Sequence, residues 1–237
     1  MGNIFRFFFL PVTALILISC SNINKQMSCE EILDTTYMNS SLNNFEKNKF
    51  KDLFINRYPE YDLMFQDAAD ETNIEKNLLA AISFQESQWD PKAISNMGVR
   101  GMMMVTLETA ALVGVEKRLN PEQNIKGGAR YFAMLMEKNK IGPTEADQLS
   151  IVLASYNLGP TNIIKVANMV NSNVEDVLWN EIKDELSVIK GEDLSLSDSG
   201  SYTRGQQAID YVDRVKNYYQ LLSAYSCVAP KDQLTFF

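Results

Sequence analysis

The run Leu78-Leu79-Ala80-Ala81-Ile82-Ser83-Phe84-Gln85-Glu86-Ser87-Gln88-Trp89 decides the fold of this chain. Its spacing is helical: Leu78, Ile82 and Glu86 fall at i, i+4 and i+8 and share one face. Thr72 and Glu75 have the Thr-x-x-Glu spacing of a capping box, which predicts the helix start there. Pro91 disfavours helical geometry at Asp90, so the predicted end lies near Trp89. A carboxyl that continues a core-facing stripe leaves water, and desolvation raises its pKa towards that of a usable general acid. The same residue also reads as a glutamate that turns to solvent at the helix end.

Further helical patterns surround this run. Asn120-Pro121 is an N-cap followed by an N1 proline and opens a helix through Ile125, Ala129, Phe132 and Met136. Gly127-Gly128 inside it lowers helix propensity but permits close approach of another backbone. A second helix carries Leu149, Val152, Leu153 and Tyr156 and stops at Gly159-Pro160. Another is expected from about Val174 to Leu186, and a Ser-, Gly- and Asp-rich loop over 187–205. The last helix places Ile209, Val212, Val215, Tyr219 and Leu222 on one face. No run alternates as a strand would, so the expected class is mainly α.

The 237 residues suffice for one good-sized domain and not comfortably for two. There is no histidine, which excludes Ser-His-Asp and Cys-His catalysis and any His-containing zinc site. Three cysteines without C-x-x-C spacing leave no thiolate metal cluster. No metal or cofactor is therefore expected, and any catalysis must rest on carboxylates, hydroxyls, amides or lysines. A formal net charge of −8 argues against nucleic acid as a partner and favours solubility.

Met1 to Arg6 form a short positive start, and Phe7 to Ile18 are almost wholly apolar, too few residues for a permanent span. Leu17-Ile18-Ser19-Cys20 resembles the lipobox of bacterial lipoproteins. The resemblance implies a signal peptide over 1–19, acylation of Cys20, and a lipid-tethered envelope protein facing the periplasm. Ser21 after the cysteine resembles proteins sorted to the outer membrane. A plain secretory signal cut nearby is the alternative. Residues 20–47 are polar and read as the lipidated cysteine and a tether with one short helix around Glu30 to Asn39. A catalytic domain is expected over 48–228 and a tail over 229–237. Cys29 and Cys227 bracket the mature chain in an oxidising compartment, where pairing and two free thiols are both open. Closing a loop of about 200 residues would contribute roughly 5 kcal/mol in the chain-entropy model.

Four segments together resemble the catalytic domain of the soluble lytic transglycosylase family, which has a lysozyme-like fold. They are Glu86-Ser87; Ser95 followed by Gly98-Val99-Arg100-Gly101-Met102-Met103-Met104; Ser155-Tyr156-Asn157-Leu158-Gly159-Pro160; and Tyr211-Val212. Taken singly, each has a structural reading: a turn between helices, a methionine core, a half-buried tyrosine. In this order and at these separations they form one pattern, over residues 48–226. Ser83 to Ser87, Gly98 to Met104 and Tyr202-Thr203-Arg204-Gly205 are most similar to the membrane-bound F-type subfamily, whose solute-binding-like amino-terminal domain has no counterpart in this sequence. Met104 stands where the wider family has glutamine, so one polar contact cannot be carried over.

The resemblance implies cleavage of the β-1,4 bond between N-acetylmuramic acid and N-acetylglucosamine in peptidoglycan. Glu86 would act as acid and then base, giving a 1,6-anhydro-muramyl product. Tyr156 would orient the Glu86 carboxyl; Ser95 and Asn157 would contact the acetamido group or nearby backbone; Met103 and Tyr211 would line the saccharide cleft. No second carboxyl has comparable support, since Asp90 directly precedes Pro91 and reads as a turn former. The expected partners are glycan strands and, through Cys20, a membrane; a monomer is the default. The alternatives are a lysozyme-like hydrolase on the same fold and a non-catalytic glycan-binding lipoprotein.

Overall fold

The computed structural model describes residues 27–190 and 202–228. The signal segment 1–19, Cys20, the tail 229–237 and most of the predicted loop at 187–205 lie outside the described residues. Ten α-helices follow in order: α1 Cys29–Asn39, α2 Asn44–Asn56, α3 Asp62–Thr72, α4 Lys76–Ser87, α5 Leu107–Val113, α6 Pro121–Lys138, α7 Glu145–Leu158, α8 Pro160–Val170, α9 Trp179–Val188 and α10 Arg204–Val228. Among the described residues no strand forms, and the turn-rich segment 94–105 makes only the bridges Ile94–Arg100 and Arg100–Val105. The fold is mainly α, as the sequence predicts. No helix of the described residues is long and apolar enough to cross a membrane.

Two helices form the centre. In α4 every residue from Leu79 to Phe84 is buried, and in α7 every residue from Ser150 to Ser155. Burial on all sides is what an unbroken apolar or small run requires, so α4 is more than the one-faced helix its stripe predicts. The long helix α10 packs along α4 and also touches α1, α7 and α9, while α6 lies against α3 and α7. The α6 start is as the sequence predicts: the Asn120 side chain accepts from the Gln123 N–H, and Pro121 occupies N1. Gly127 and Gly128 admit side chains rather than a backbone. A Cβ on Gly128 would stand 2.4 Å from Met103 Cβ, and one on Gly127 would stand 2.2 Å from Val115 Cγ2.

Several sequence expectations need correction. Thr72 does not cap α4. It is the last residue of α3, its hydroxyl donates to the Ala68 carbonyl at 2.7 Å, and α4 starts from Glu75 with no side-chain cap. Asn73 at φ 55° separates the two helices, a left-handed turn that asparagine tolerates. The helix expected over 174–186 is instead a 3₁₀ turn, Val174–Asp176, followed by α9. The boundary expected at residue 48 falls inside α2, which Asn43 and Glu46 open with a capping box.

The segment expected as a tether is also built into the fold from Cys29 onward. The α1 helix packs on α10, and Cys29 is disulfide-bonded to Cys227 across a separation of 198 residues. From α2, Phe50 is fully buried among Phe84, Tyr218 and Trp89, with ring centroids at 4.9, 5.4 and 5.9 Å. Polar composition on the outer faces hid these inward aromatics.

Candidate active site

The end of α4 is fixed by its last turn. Ser87 donates to the Met102 carbonyl at 2.8 Å, and Ser83 donates to the same oxygen at 3.1 Å. Trp89, fully buried, donates its indole N–H to the Ala80 carbonyl at 2.9 Å. Gln88 and Trp89 both take positive φ, at 56° and 58°, so the chain turns sharply away after Ser87. Glu86 is thereby held one residue before the helix terminus, on a segment that cannot shift without breaking these bonds.

Glu86 keeps a small accessible surface, yet protein crowds its carboxyl closely enough that desolvation dominates. Burial pushes its pKa up from 4.5 to about 7, and the nearby Tyr211 hydroxyl offsets part of that rise. The Tyr211 hydroxyl is buried and makes no hydrogen bond of full geometry. Its contact with Glu86 is an electrostatic approach rather than a formed bond. Burial, with the adjacent Glu86 charge, raises both the Tyr156 and Tyr211 hydroxyls well above 10, so both stay protonated donors.

The structure brings Glu86, Tyr156 and Tyr211 together, but with bonds that differ from those implied by resemblance. Tyr156 donates to the Met103 carbonyl at 2.8 Å rather than to Glu86. Tyr211 is 3% exposed and stands beside the carboxyl, so it does not line an open cleft. Met103 is a second correction: its side chain is fully buried against the Gly128 backbone and cannot contact a saccharide. Its neighbour Met104, at φ 47°, is partly exposed and lines a groove of about 440 Å³ with Glu108, Tyr131, Tyr156 and Asn157. Tyr156 joins this groove to Glu86. Gln85, directly before Glu86, lines a different groove on the α2 side.

Asn157 carries a buried side-chain oxygen without a hydrogen-bond partner. Ser95 ties its own loop: its hydroxyl oxygen accepts the Val99 N–H at 3.1 Å, and its N–H donates to the Val99 carbonyl at 3.0 Å. The hydroxyl proton remains free for a further acceptor.

Two residues with roles here escaped the sequence reading. Asn124, fully buried on α6, accepts the Met103 N–H at 2.7 Å and donates to the carbonyls of Arg100 and Arg118 at 2.9 and 2.7 Å. It pins the loop that carries Met103 and Met104. A side chain on Gly101, at φ 82°, would collide with Asn124 and with the Arg118 carbonyl. The available signal was a lone amide one position before core Ile125. The other residue is Glu108, exposed on the groove wall; nothing in its local sequence distinguishes it. Among the described residues no cluster of His, Cys, Asp or Glu could hold a metal ion.

Comparison with known proteins places these features. The profile of the transglycosylase SLT domain matches residues 63–177. Membrane-bound lytic murein transglycosylase F 1 of Alkalilimnicola ehrlichii is 40% identical over 167 residues, which is 70% of this chain and 34% of that protein. Membrane-bound lytic murein transglycosylase F of Maricaulis maris is 38% identical over 170 residues, 71% of this chain and 37% of that protein. The chain thus spans about a third of the length of the curated relatives it matches. In fold it is similar to an inactive mutant of the lytic transglycosylase Slt from Pseudomonas aeruginosa. That likeness has a TM-score of 0.54 at 14% identity and covers 86% of this chain and 32% of that one. Residues 63–177, with Glu86 at the end of their central helix, belong to the transglycosylase SLT domain family.

Proposed function

We propose that this chain is a peptidoglycan lytic transglycosylase, a lyase, with Glu86 as its single acid and base. The observation that carries the proposal is a carboxyl whose pKa burial raises to about 7, beside two protonated tyrosines. A group that titrates near neutrality is available in both protonation states, as successive acid and base steps require.

In the first step protonated Glu86 donates to the oxygen linking N-acetylmuramic acid to N-acetylglucosamine. The bond from that oxygen to the muramyl C1 breaks, and the 2-acetamido group stabilises the developing oxocarbenium charge. Ionised Glu86 then takes the proton of the muramyl C6 hydroxyl as its oxygen bonds to C1. The product is a 1,6-anhydro sugar, Glu86 is reprotonated, and no water is consumed. The Tyr211 hydroxyl favours the ionised form of Glu86 by donating towards it between the two steps. Asn157, with a buried acceptor that lacks a donor, suits an acetamido N–H, and Ser95 retains a hydroxyl proton for a carbonyl. Tyr156 acts as a positioning residue through the Met103 carbonyl.

One observation favours hydrolysis as the second reading. Glu108 supplies a carboxylate on the groove wall, and a second carboxylate is what activation of water commonly requires. Mass spectrometry of products released from purified sacculi separates the two. The transglycosylase yields muropeptides one water lighter than hydrolysis products, lost in Glu86→Gln. Products of hydrolysed mass would overturn it in favour of Glu108-assisted hydrolysis. Sacculus binding without release would leave only a glycan-binding protein.

The lipobox-like run Leu17-Ile18-Ser19-Cys20 supports a site of action in the envelope. Cleavage before Cys20 and its acylation would tether the domain to the outer membrane, facing the periplasm. Metabolic labelling with a fatty-acid analogue, lost in Cys20→Ala, checks the anchor; labelling retained in that variant would refute it.

A further inference from the structure

A second groove, of about 310 Å³, opens where α2 meets α4 and α10, lined by Phe45, Lys49, Gln85, Gln88, Arg214 and Tyr218 among others. Helices α2 and α10 lie outside the segment 63–177 matched by the domain profile, and only the α4 wall of the groove, with Gln85 and Gln88, lies within it. That wall flanks Glu86 in sequence, although Glu86 itself does not line the groove. Gln85 directly precedes Glu86. Arg214 and Tyr218 lie three and seven residues beyond Tyr211 on α10, the same face one and two turns along.

The groove's charge is unusual for this chain. Arg214 is ion-paired with Glu46 through Nε at 3.1 Å, and Glu46 also accepts the Asn43 N–H at 2.9 Å. Lys49 makes no ion pair among the described residues; its ammonium stands 5.9 Å over the Phe45 ring. One uncompensated cation therefore faces the groove in a protein of net charge −8. Phe45 is 73% exposed and offers an apolar face beside that cation. The side-chain amides of Gln85 and Gln88 have no hydrogen-bond partner among the described residues. Together these groups suit a short aliphatic chain carrying amides and a carboxylate, and a neutral sugar would leave the ammonium unused.

We propose that this groove holds the carboxylate-bearing peptide arm of the polymer while the adjoining glycosidic bond is at Glu86. The inference rests on peptidoglycan being the substrate. Peptide amides meet Gln85 and Gln88, alanine methyl groups meet Phe45, and a carboxylate meets Lys49. A substrate with the arm then gains affinity over one without it.

The test uses the full chain and a soluble tripeptide of alanine, γ-linked glutamate and a diamino acid, as free acid and as the fully amidated form. Calorimetry should show the free acid binding about tenfold more tightly than the amide, the worth of one hydrogen-bonded charge. Lys49→Glu should abolish that difference and Lys49→Arg restore it. On sacculus strands, preference for peptide-bearing over peptide-stripped material should fall by a similar factor in Lys49→Glu. Equal binding of the two tripeptide forms, or an unchanged strand preference in Lys49→Glu, would overturn the inference. Failure of the transglycosylase reading looks different: no anhydro products from sacculi whatever residue stands at 49.

Discussion

Tyr156 on α7 and Tyr211 on α10 both lie in the field of the Glu86 carboxyl, but they hold it in different ways. Tyr156 is committed: its hydroxyl is bonded to the Met103 carbonyl at 2.8 Å. Through that carbonyl it braces the loop that Asn124 pins from the other side. Tyr211 is uncommitted, with a buried hydroxyl that makes no full hydrogen bond and the carboxyl beside it. The α7 side of the site is thus structural support. In the proposed mechanism the α10 side is the donor for the step in which Glu86 carries charge. Two tyrosines beside one acid differ in role because of which acceptor each hydroxyl has reached.

That contrast can be broken or sharpened by substitution. The largest stability loss is expected for Met103→Ala, since a fully buried methionine packed on Gly128 leaves a cavity behind. Urea denaturation should show about 2–5 kcal/mol lost, whereas Met104→Ala, on the partly exposed groove wall, should cost far less. Next comes Glu86→Gln, measured as stability against pH. A carboxyl raised from 4.5 to about 7 on folding favours the protonated native state. Its contribution is complete below pH 4.5 and is lost as pH rises through 7. The variant should therefore match the parent at pH 4 and exceed it by about 3 kcal/mol at pH 8. A constant difference across that range would place the carboxyl in water.

Smaller effects separate the tyrosines themselves. Tyr156→Phe leaves the Met103 carbonyl without its donor and should cost about 1–3 kcal/mol in thermal or urea unfolding. Tyr211→Phe removes a hydroxyl with no full bond to lose and should change stability by about 0.5 kcal/mol or less. Its signature is the pH–rate profile. Because Tyr211 holds the Glu86 pKa down, its loss should move the alkaline limb to higher pH. If Tyr156→Phe moved the limb and Tyr211→Phe did not, the two roles assigned here would be exchanged.

The sequence made the elements with strong local signals legible. The Asn120-Pro121 start of α6, the stop of α7 at Gly159 and the end of α4 close to Trp89 all depend on a few neighbouring residues. So did the placing of Glu86, because its position relative to Leu78 and Ile82 is fixed by helix geometry alone. Features decided by distant contacts were not legible. Met103 and Met104 are indistinguishable in sequence, and only the turn at Gly101 and the Asn124 bond send one inward and the other to the groove. Thr72 has the spacing of a cap, yet α3 extends far enough to claim it. Phe50 shares α2 with the exposed Phe45 and Ile55, and what sends it inward is packing on Phe84, Trp89 and Tyr218, all more than thirty residues away. The acceptor of the Tyr156 hydroxyl, the Met103 carbonyl rather than Glu86, lies fifty-three residues upstream and has no local signal.

The most direct test of the account is a carbon-13 NMR titration of the Glu86 side-chain carboxyl in the folded full chain, assigned by its disappearance in Glu86→Gln. The account predicts a midpoint near pH 7, because burial of the carboxyl outweighs the approach of Tyr211. A midpoint at the ordinary glutamate value near 4.5 would mean an exposed, ionised group at neutral pH, and would contradict Glu86 as the acid of this site.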